Sequence, residues 1–124
     1  MLKMVIEVYR KPGMSLEEFE DYWLNKHGPL VRKHGPAMGM KRYVQSHNVP
    51  SEAIAEFRRA RGWAEPCEAL AEVWWESEEA MLAAMSSPEG QEASKILAED
   101  EVNFCDMTRL TAFLAKEHEI YNHL

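Results

Sequence analysis

The stretch Leu2-Lys3-Met4-Val5-Ile6-Glu7-Val8-Tyr9-Arg10-Lys11-Pro12-Gly13-Met14-Ser15-Leu16-Glu17-Glu18-Phe19 changes its period partway along, and that change sets the fold. Leu2, Met4, Ile6 and Val8 alternate with Lys3, Val5, Glu7 and Tyr9, so one side of an extended chain to about Lys11 is apolar. Pro12-Gly13 stops the strand. Ser15 then opens a helix in which Glu18, three residues on, reaches back to the cap, with Met14 and Phe19 placed as a hydrophobic staple. Leu16, Phe19, Tyr22 and Trp23 carry an apolar stripe onward, loosely, to Leu30 and Val31. His27-Gly28-Pro29 interrupts it. Proline disfavours the helical conformation of the residue before it, so a kink or break is expected there.

Beyond that point the pattern repeats. A second strand is expected from about Met40 to His47, closed by Asn48-Val49-Pro50. A long connection over 48–68 follows, in which Ser51 can cap a short basic helix carrying Ile54 and Phe57. Arg58, Arg59 and Arg61 make this helix either a lid that attracts an anionic substrate or a solvated face. A third strand runs from Ala69 to Trp75. Ser77 caps a helix bearing Met81, Leu82 and Met85, and Ser87-Pro88-Glu89 starts another with Ala93, Ile96 and Leu97 as its stripe. The last strand is about Arg109 to Leu114, with a polar tail to Leu124. Strand-helix-strand twice over is the ferredoxin-like βαββαβ order: a single α+β domain over residues 1–124, with an antiparallel sheet and both helical layers on one face.

The chain has 124 residues and a formal net charge of -7. That sign argues against nucleic acid and against an anionic membrane surface as partners. No apolar run approaches the ~20 residues of a membrane span, and no leader-like segment stands out, so a cytoplasmic protein is expected. Cys67 and Cys105 are far apart and are expected as free thiols. No metal site is expected. His27 and His34 are seven apart across Pro29, His118 and His123 are five apart, and neither pair has a metal-binding helical spacing. A glycine-rich phosphate loop and a nucleophile elbow are both lacking.

Sorting the strands by alternation gives two sets. Met4, Ile6, Val8, Val44, Ala71, Val73, Trp75, Leu110, Ala112 and Leu114 form a helix-facing core. Val5, Glu7, Tyr9, Lys41, Tyr43, Gln45, His47, Leu70, Glu72, Trp74, Thr111 and Phe113 form the other. The second set mixes large aromatics with a few polar groups, as ligand pockets do. Two such sheets facing each other in a homodimer would enclose a mixed cavity.

Arg10-Lys11-Pro12-Gly13-Met14-Ser15, Phe19, Tyr22-Trp23 and His27-Gly28-Pro29-Leu30-Val31 resemble the opening of the EthD-domain family. Tyr43-Val44-Gln45 with His47, Ala71-Glu72-Val73-Trp74-Trp75 leading to Ser77, Ser87-Pro88-Glu89-Gly90, and Asn103-Phe104 with Asp106 follow in order. The resemblance covers about residues 3 to 119. It implies a dimeric α+β barrel and small, often cyclic or aromatic substrates handled by proton transfer, in enzymes such as isomerases, dehydratases, cyclases and cofactor-free monooxygenases.

The candidate catalytic residues are His27, His47 and Glu72. Histidine titrates near neutral pH and serves as acid or base, and a mid-strand carboxylate has a raised pKa unless it is paired. Two of them also have a plain structural role available: His27 at a helix end, Glu72 in a salt bridge to Lys41 or to an arginine of the connection. Tyr9, Tyr43, Trp74, Phe113 and Trp23 are expected as substrate-binding walls, phenols being weak bases at neutral pH. The expected function is cofactor-independent acid/base chemistry on a small hydrophobic metabolite. The rival readings are a binding module without chemistry, accessory to an oxidoreductase system, and a haem protein ligated by His27 and His47.

Overall fold

β1 (Leu2–Val8) lies inside the sheet because its residues find hydrogen-bonding partners on both sides. The computed structural model describes residues 1–124. β2 (Arg42–His47), β3 (Ala69–Trp75) and β4 (Thr111–Ala115) complete a sheet of order β2-β3-β1-β4, antiparallel at every pair. α1 (Leu16–Tyr22) and α2 (Gly28–His34) follow β1. α3 (Glu52–Arg61) lies between β2 and β3, and α4 (Glu78–Ser86) and α5 (Pro88–Glu101) precede β4. This is the expected α+β, ferredoxin-like arrangement.

The helix starts follow the sequence. Ser15 Oγ accepts from the Glu18 N–H at 3.0 Å while Glu18 Oε1 accepts from the Ser15 N–H at 3.0 Å. Such a reciprocal cap contributes about 1 kcal/mol. Ser51, Ser77 and Ser87 cap α3, α4 and α5 one way only, each Oγ accepting from the N–H three residues on, of Ile54, Ala80 and Gly90. Gly90 lets α5 cross close to the end of α4, where an added Cβ would stand 1.9 Å from the Ala84 carbonyl oxygen.

The irregularity expected at Gly28-Pro29 as a kink or break is not a break. Gly28 stays helical (φ -52°, ψ -49°), and residues Trp23–His27 form a single widened π turn that runs directly into α2. Pro29 has no N–H to offer the carbonyl four residues back, so the regular ladder cannot be kept, and the Gly28 N–H bonds the Trp23 carbonyl five residues back instead. The wider turn also corrects a drift. Phe19, Trp23, His27 and Val31 are spaced four apart, which on a regular helix overshoots one turn by roughly 40° at each step. Here all four point inward, with exposures of 0, 2, 6 and 4%.

Phe19, Trp23, Val8, Ala69, Ala71, Phe104 and Cys105 pack as the largest buried cluster, at one end of the helix-facing side. Val31, Met38, Ala93 and Leu97 join the helices to one another, and Val73, Trp75 and Met81 fill the far end. Cys67 and Cys105 are free thiols. No helix is long and apolar enough to cross a membrane. α3 buries none of its residues.

The strand pairing corrects one part of the face assignment. Tyr43 is opposite Val73, Gln45 opposite Ala71 and His47 opposite Ala69, so these three face the helices, whereas Val44 is opposite Glu72 on the other face. Alternation fixes which residues share a face but not which face is covered, and an aliphatic Val44 beside a tyrosine and a histidine invites the wrong choice. The packing inverts it because the Tyr43 phenol and the Gln45 amide satisfy each other beneath the helices, with Gln45 Nε2 donating to Tyr43 Oη at 3.2 Å and to the Trp23 carbonyl at 2.9 Å.

Candidate active site

His27 is the only polar or charged side chain buried in the chain. The π turn carries it under the helices, against the Phe104 ring at 4.8 Å. Its Nδ1 lies 2.8 Å from Asp100 Oδ2 on α5. The other carboxylate oxygen, Asp100 Oδ1, accepts from Tyr22 Oη at 2.6 Å and from Asn103 Nδ2 at 3.2 Å. Both oxygens of Asp100 are therefore held.

Burial pushes the His27 pKa down, and the adjoining Asp100 only partly restores it, so the imidazole is neutral near pH 7. Burial pushes Asp100 up, but the hydrogen bonds from Tyr22, His27 and Asn103 outweigh it and hold the carboxyl below its ordinary value. An ionised carboxylate facing Nδ1 fixes the proton there. Nε2 is left as the free lone pair and has no partner within the chain.

His27 opens onto a cavity of about 220 Å³ between the helices and the sheet. Of its twenty lining residues only His27, Ser94 and Glu101 fall outside the apolar and aromatic types. Trp23 and Tyr43 are among the walls, with Met40, Val73 and Leu97. The Glu101 carboxyl makes no hydrogen bond or ion pair within the chain, and burial, with the neighbouring Asp100 charge, raises its pKa. Burial also raises Tyr43 and pushes the Cys105 thiol up to about 12, so neither ionises near neutral pH. The chemistry available in the cavity is thus a free imidazole lone pair, a carboxyl biased toward its protonated form, and apolar walls.

The other expected site residues fall elsewhere. His47 stacks on Trp23 at 4.6 Å and its Nε2 pairs with Gln45 Oε1 at 2.8 Å. It lines an open groove of about 830 Å³ alongside β2, which shares the walls Val31, Met40 and Tyr43 with the cavity. Glu72 lies on the opposite face of the sheet, paired with Lys3 Nζ at 2.5 Å rather than with Lys41 or an arginine of the connection. The register forces this separation: Glu72 alternates with Ala71 and Val73, both of which point toward the helices. Trp74 shares that outer face, covered by the Arg42 guanidinium at 4.4 Å and donating from Nε1 to Glu117 Oε1 at 2.7 Å. Phe113, opposite Val5, is 55% exposed there. Tyr9 stacks under the Arg109 guanidinium at 3.7 Å, past the end of β1. The structure brings together His27, Trp23 and Tyr43 around the cavity, with His47 at its neighbouring groove. It does not join them to Glu72, Trp74 or Phe113.

Asp100 and Glu101 are absent from the expected site. A signal for them does exist, since the α5 stripe of Ala93 and Leu97 continues at helical spacing to positions 100, 101 and 104. Carboxylates on an otherwise apolar stripe mark groups held by something beyond water.

Residues 11–108 match the EthD domain model. Decarboxylase claH of Passalora fulva is 40% identical over 47 residues, 38% of this chain and 30% of that protein, so the chain spans less than a third of that relative's length. An ethyl tert-butyl ether degradation (EthD) family protein from Bacillus halodurans aligns over 95% of this chain and 100% of its own, with a TM-score of 0.60 and 22% identity. SnoaB, a cofactor-independent oxygenase from Streptomyces nogalater, aligns over 98% and 97% with a TM-score of 0.50 and 11% identity. The two structural likenesses are of fold. With the model match covering most of its length, the chain belongs to the EthD-domain family.

Proposed function

We propose that this protein is a small-molecule enzyme using cofactor-independent acid/base chemistry on a hydrophobic cyclic or aromatic metabolite bound between the helices and the sheet. One observation carries the reading: a buried, neutral His27 whose Nδ1 is fixed by a doubly held carboxylate and whose Nε2 is free at an apolar cavity. Nε2 takes a proton from a C–H or O–H of the ligand, and Asp100 stabilises the imidazolium that results. Such a base contributes roughly 10²–10⁴ in rate. Glu101 supplies the complementary proton donor, because a carboxyl raised by burial is a better acid near neutral pH than an ordinary one. Isomerisation, dehydration, decarboxylation and cofactor-free oxygenation all proceed through such a proton transfer. A decarboxylase among the relatives and a cofactor-independent oxygenase on the same fold keep the last two within this class.

His47 is proposed as a group at the groove rather than as the base, because its Nε2 is already engaged with Gln45. Glu72 is proposed as a structural ion pair. On the outer sheet face the 55% exposed Phe113, beside the half-buried Leu70, supports a homodimer formed sheet to sheet.

The experiment is turnover of aromatic lactones and polyketide-like phenols by the purified protein, beside His27→Gln, His47→Gln and Glu72→Gln. Loss of activity in the first and retention in the last supports the reading. Equal rates in all four would sink the residue assignment, and binding of these compounds without turnover in any of them would replace the enzyme with a binding module.

A further inference from the structure

Charge is distributed unevenly along this acidic chain. Residues 22–51 contain five cations (Lys26, Arg32, Lys33, Lys41 and Arg42) and no aspartate or glutamate. With 14 Lys and Arg against 21 Asp and Glu in the whole chain, the remainder holds nine cations and 21 acids, a balance of -12 against +5. The fold gathers part of the basic segment onto one concave surface. Arg32 from α2 and Lys41 and Arg42 at the start of β2 line the 830 Å³ groove, and no carboxylate lines it. Arg32 and Lys41 are exposed and make no ion pair. The groove adjoins the apolar cavity across Val31, Met40 and Tyr43.

We infer that the substrate is an organic acid: an aromatic or alicyclic body seated in the cavity, with a carboxylate or similar anion held in the groove by Arg32 and Lys41. This deepens the proposed function and rests on its cavity. A cationic groove inside a strongly acidic molecule draws a small anion toward it while the surrounding charge repels it elsewhere. A polyanion such as nucleic acid would meet the acidic remainder of the surface as well, which selects a small ligand. The geometry also divides the labour: the groove fixes the charged end, and the body is then presented to His27.

The test uses two fluorescent probes of the same aromatic body, the anionic 1-anilinonaphthalene-8-sulfonate and the uncharged N-phenyl-1-naphthylamine, titrated into the full chain at low and high salt. The sulfonate is expected to bind about tenfold more tightly at low salt, with the advantage shrinking as salt screens it. The double variant Arg32→Gln, Lys41→Gln removes most of that advantage and leaves the neutral probe unchanged. Ser94→Leu, which narrows the cavity, weakens both probes. Equal affinity of the two probes, or an advantage that survives the double variant, overturns the anion site while neutral-probe binding sensitive to Ser94→Leu keeps the cavity reading. Binding of neither probe, or binding indifferent to Ser94→Leu, overturns both.

Discussion

The two faces of the sheet carry similar residue types and use them in opposite ways. On the helix side, His27, Tyr43 and Glu101 surround a cavity in which one imidazole nitrogen and one carboxyl have no partner within the chain. On the outer side, Lys3, Glu72, Glu117, Trp74 and Arg42 form a closed circuit of ion pairs, a hydrogen bond and a stacked guanidinium. Satisfied polar groups hold a surface together. An unsatisfied group at a dry cavity is available to a ligand, because desolvation has already weakened its competition with water. The residues that look reactive in the sequence are split between these two roles.

The contrast breaks most visibly in turnover. His27→Gln is expected to lower kcat/KM by about 10²–10⁴, whereas Glu72→Gln changes it by less than about twofold. Steady-state rates on one accepted substrate check both, and a comparable loss in Glu72→Gln would erase the distinction.

Stability separates the faces next. Trp23→Ala, at 2% exposure under the helices, is expected to lose about 3–5 kcal/mol in urea unfolding. Phe113→Ala, at 55% exposure, is expected to lose less than about 1 kcal/mol in dilute protein. At higher concentration Phe113→Asp is expected to shift sedimentation from dimer to monomer. Its failure to do so would take the outer face out of the assembly.

A smaller effect sharpens the electrostatic half of the comparison. Glu101 has its carboxyl raised by burial, so its charged form opposes folding. Its contribution to stability is present below the ordinary value near 4.5 and is lost as pH rises through the folded value. Glu101→Gln is therefore expected to stabilise the protein at pH 7, and by less near pH 4. A thermal melt at the two pH values reads the difference.

The smallest expected change concerns His27 itself. Its folded pKa lies below the ordinary 6.5, so the folded state binds fewer protons. The stability this confers is complete above that value and is lost as pH falls through the folded one. His27→Gln is expected to flatten the stability curve just below pH 6.5, as equilibrium unfolding at closely spaced pH values would show.

Most of the architecture could be read from local signals. Four serine caps, the period of β1 and the Pro88 helix start act within a few residues of themselves, and each stands where the sequence puts it. β3 runs from Ala69 to Trp75, as its alternation implies. The site was less legible because its determinants are remote. Asp100 meets His27 across 73 residues of chain, and only folding shows that the two share a wall. β2 went astray for a related reason. Its parity is decided by the partner strand and by the Trp23 carbonyl, which Gln45 reaches from 22 residues away. His27 was visible since it stands beside Gly28-Pro29, but the local effect of Pro29 was a widened turn and not an interruption.

That turn also limits how the chain can change in length. Loops such as the one carrying α3 can gain or lose residues with little consequence for the core, as their ends only need to meet. Between Trp23 and His27 a single deletion would act as a phase error. The helix would relax to its ordinary pitch, three regular steps would replace the widened turn and leave everything beyond it short by roughly 60° about the axis, and Val31 and the basic edge of α2 would turn away together. The spacing from Phe19 to Val31 is in this sense a timing element, and a one-residue deletion there would uncouple the imidazole from its carboxylate without altering either residue.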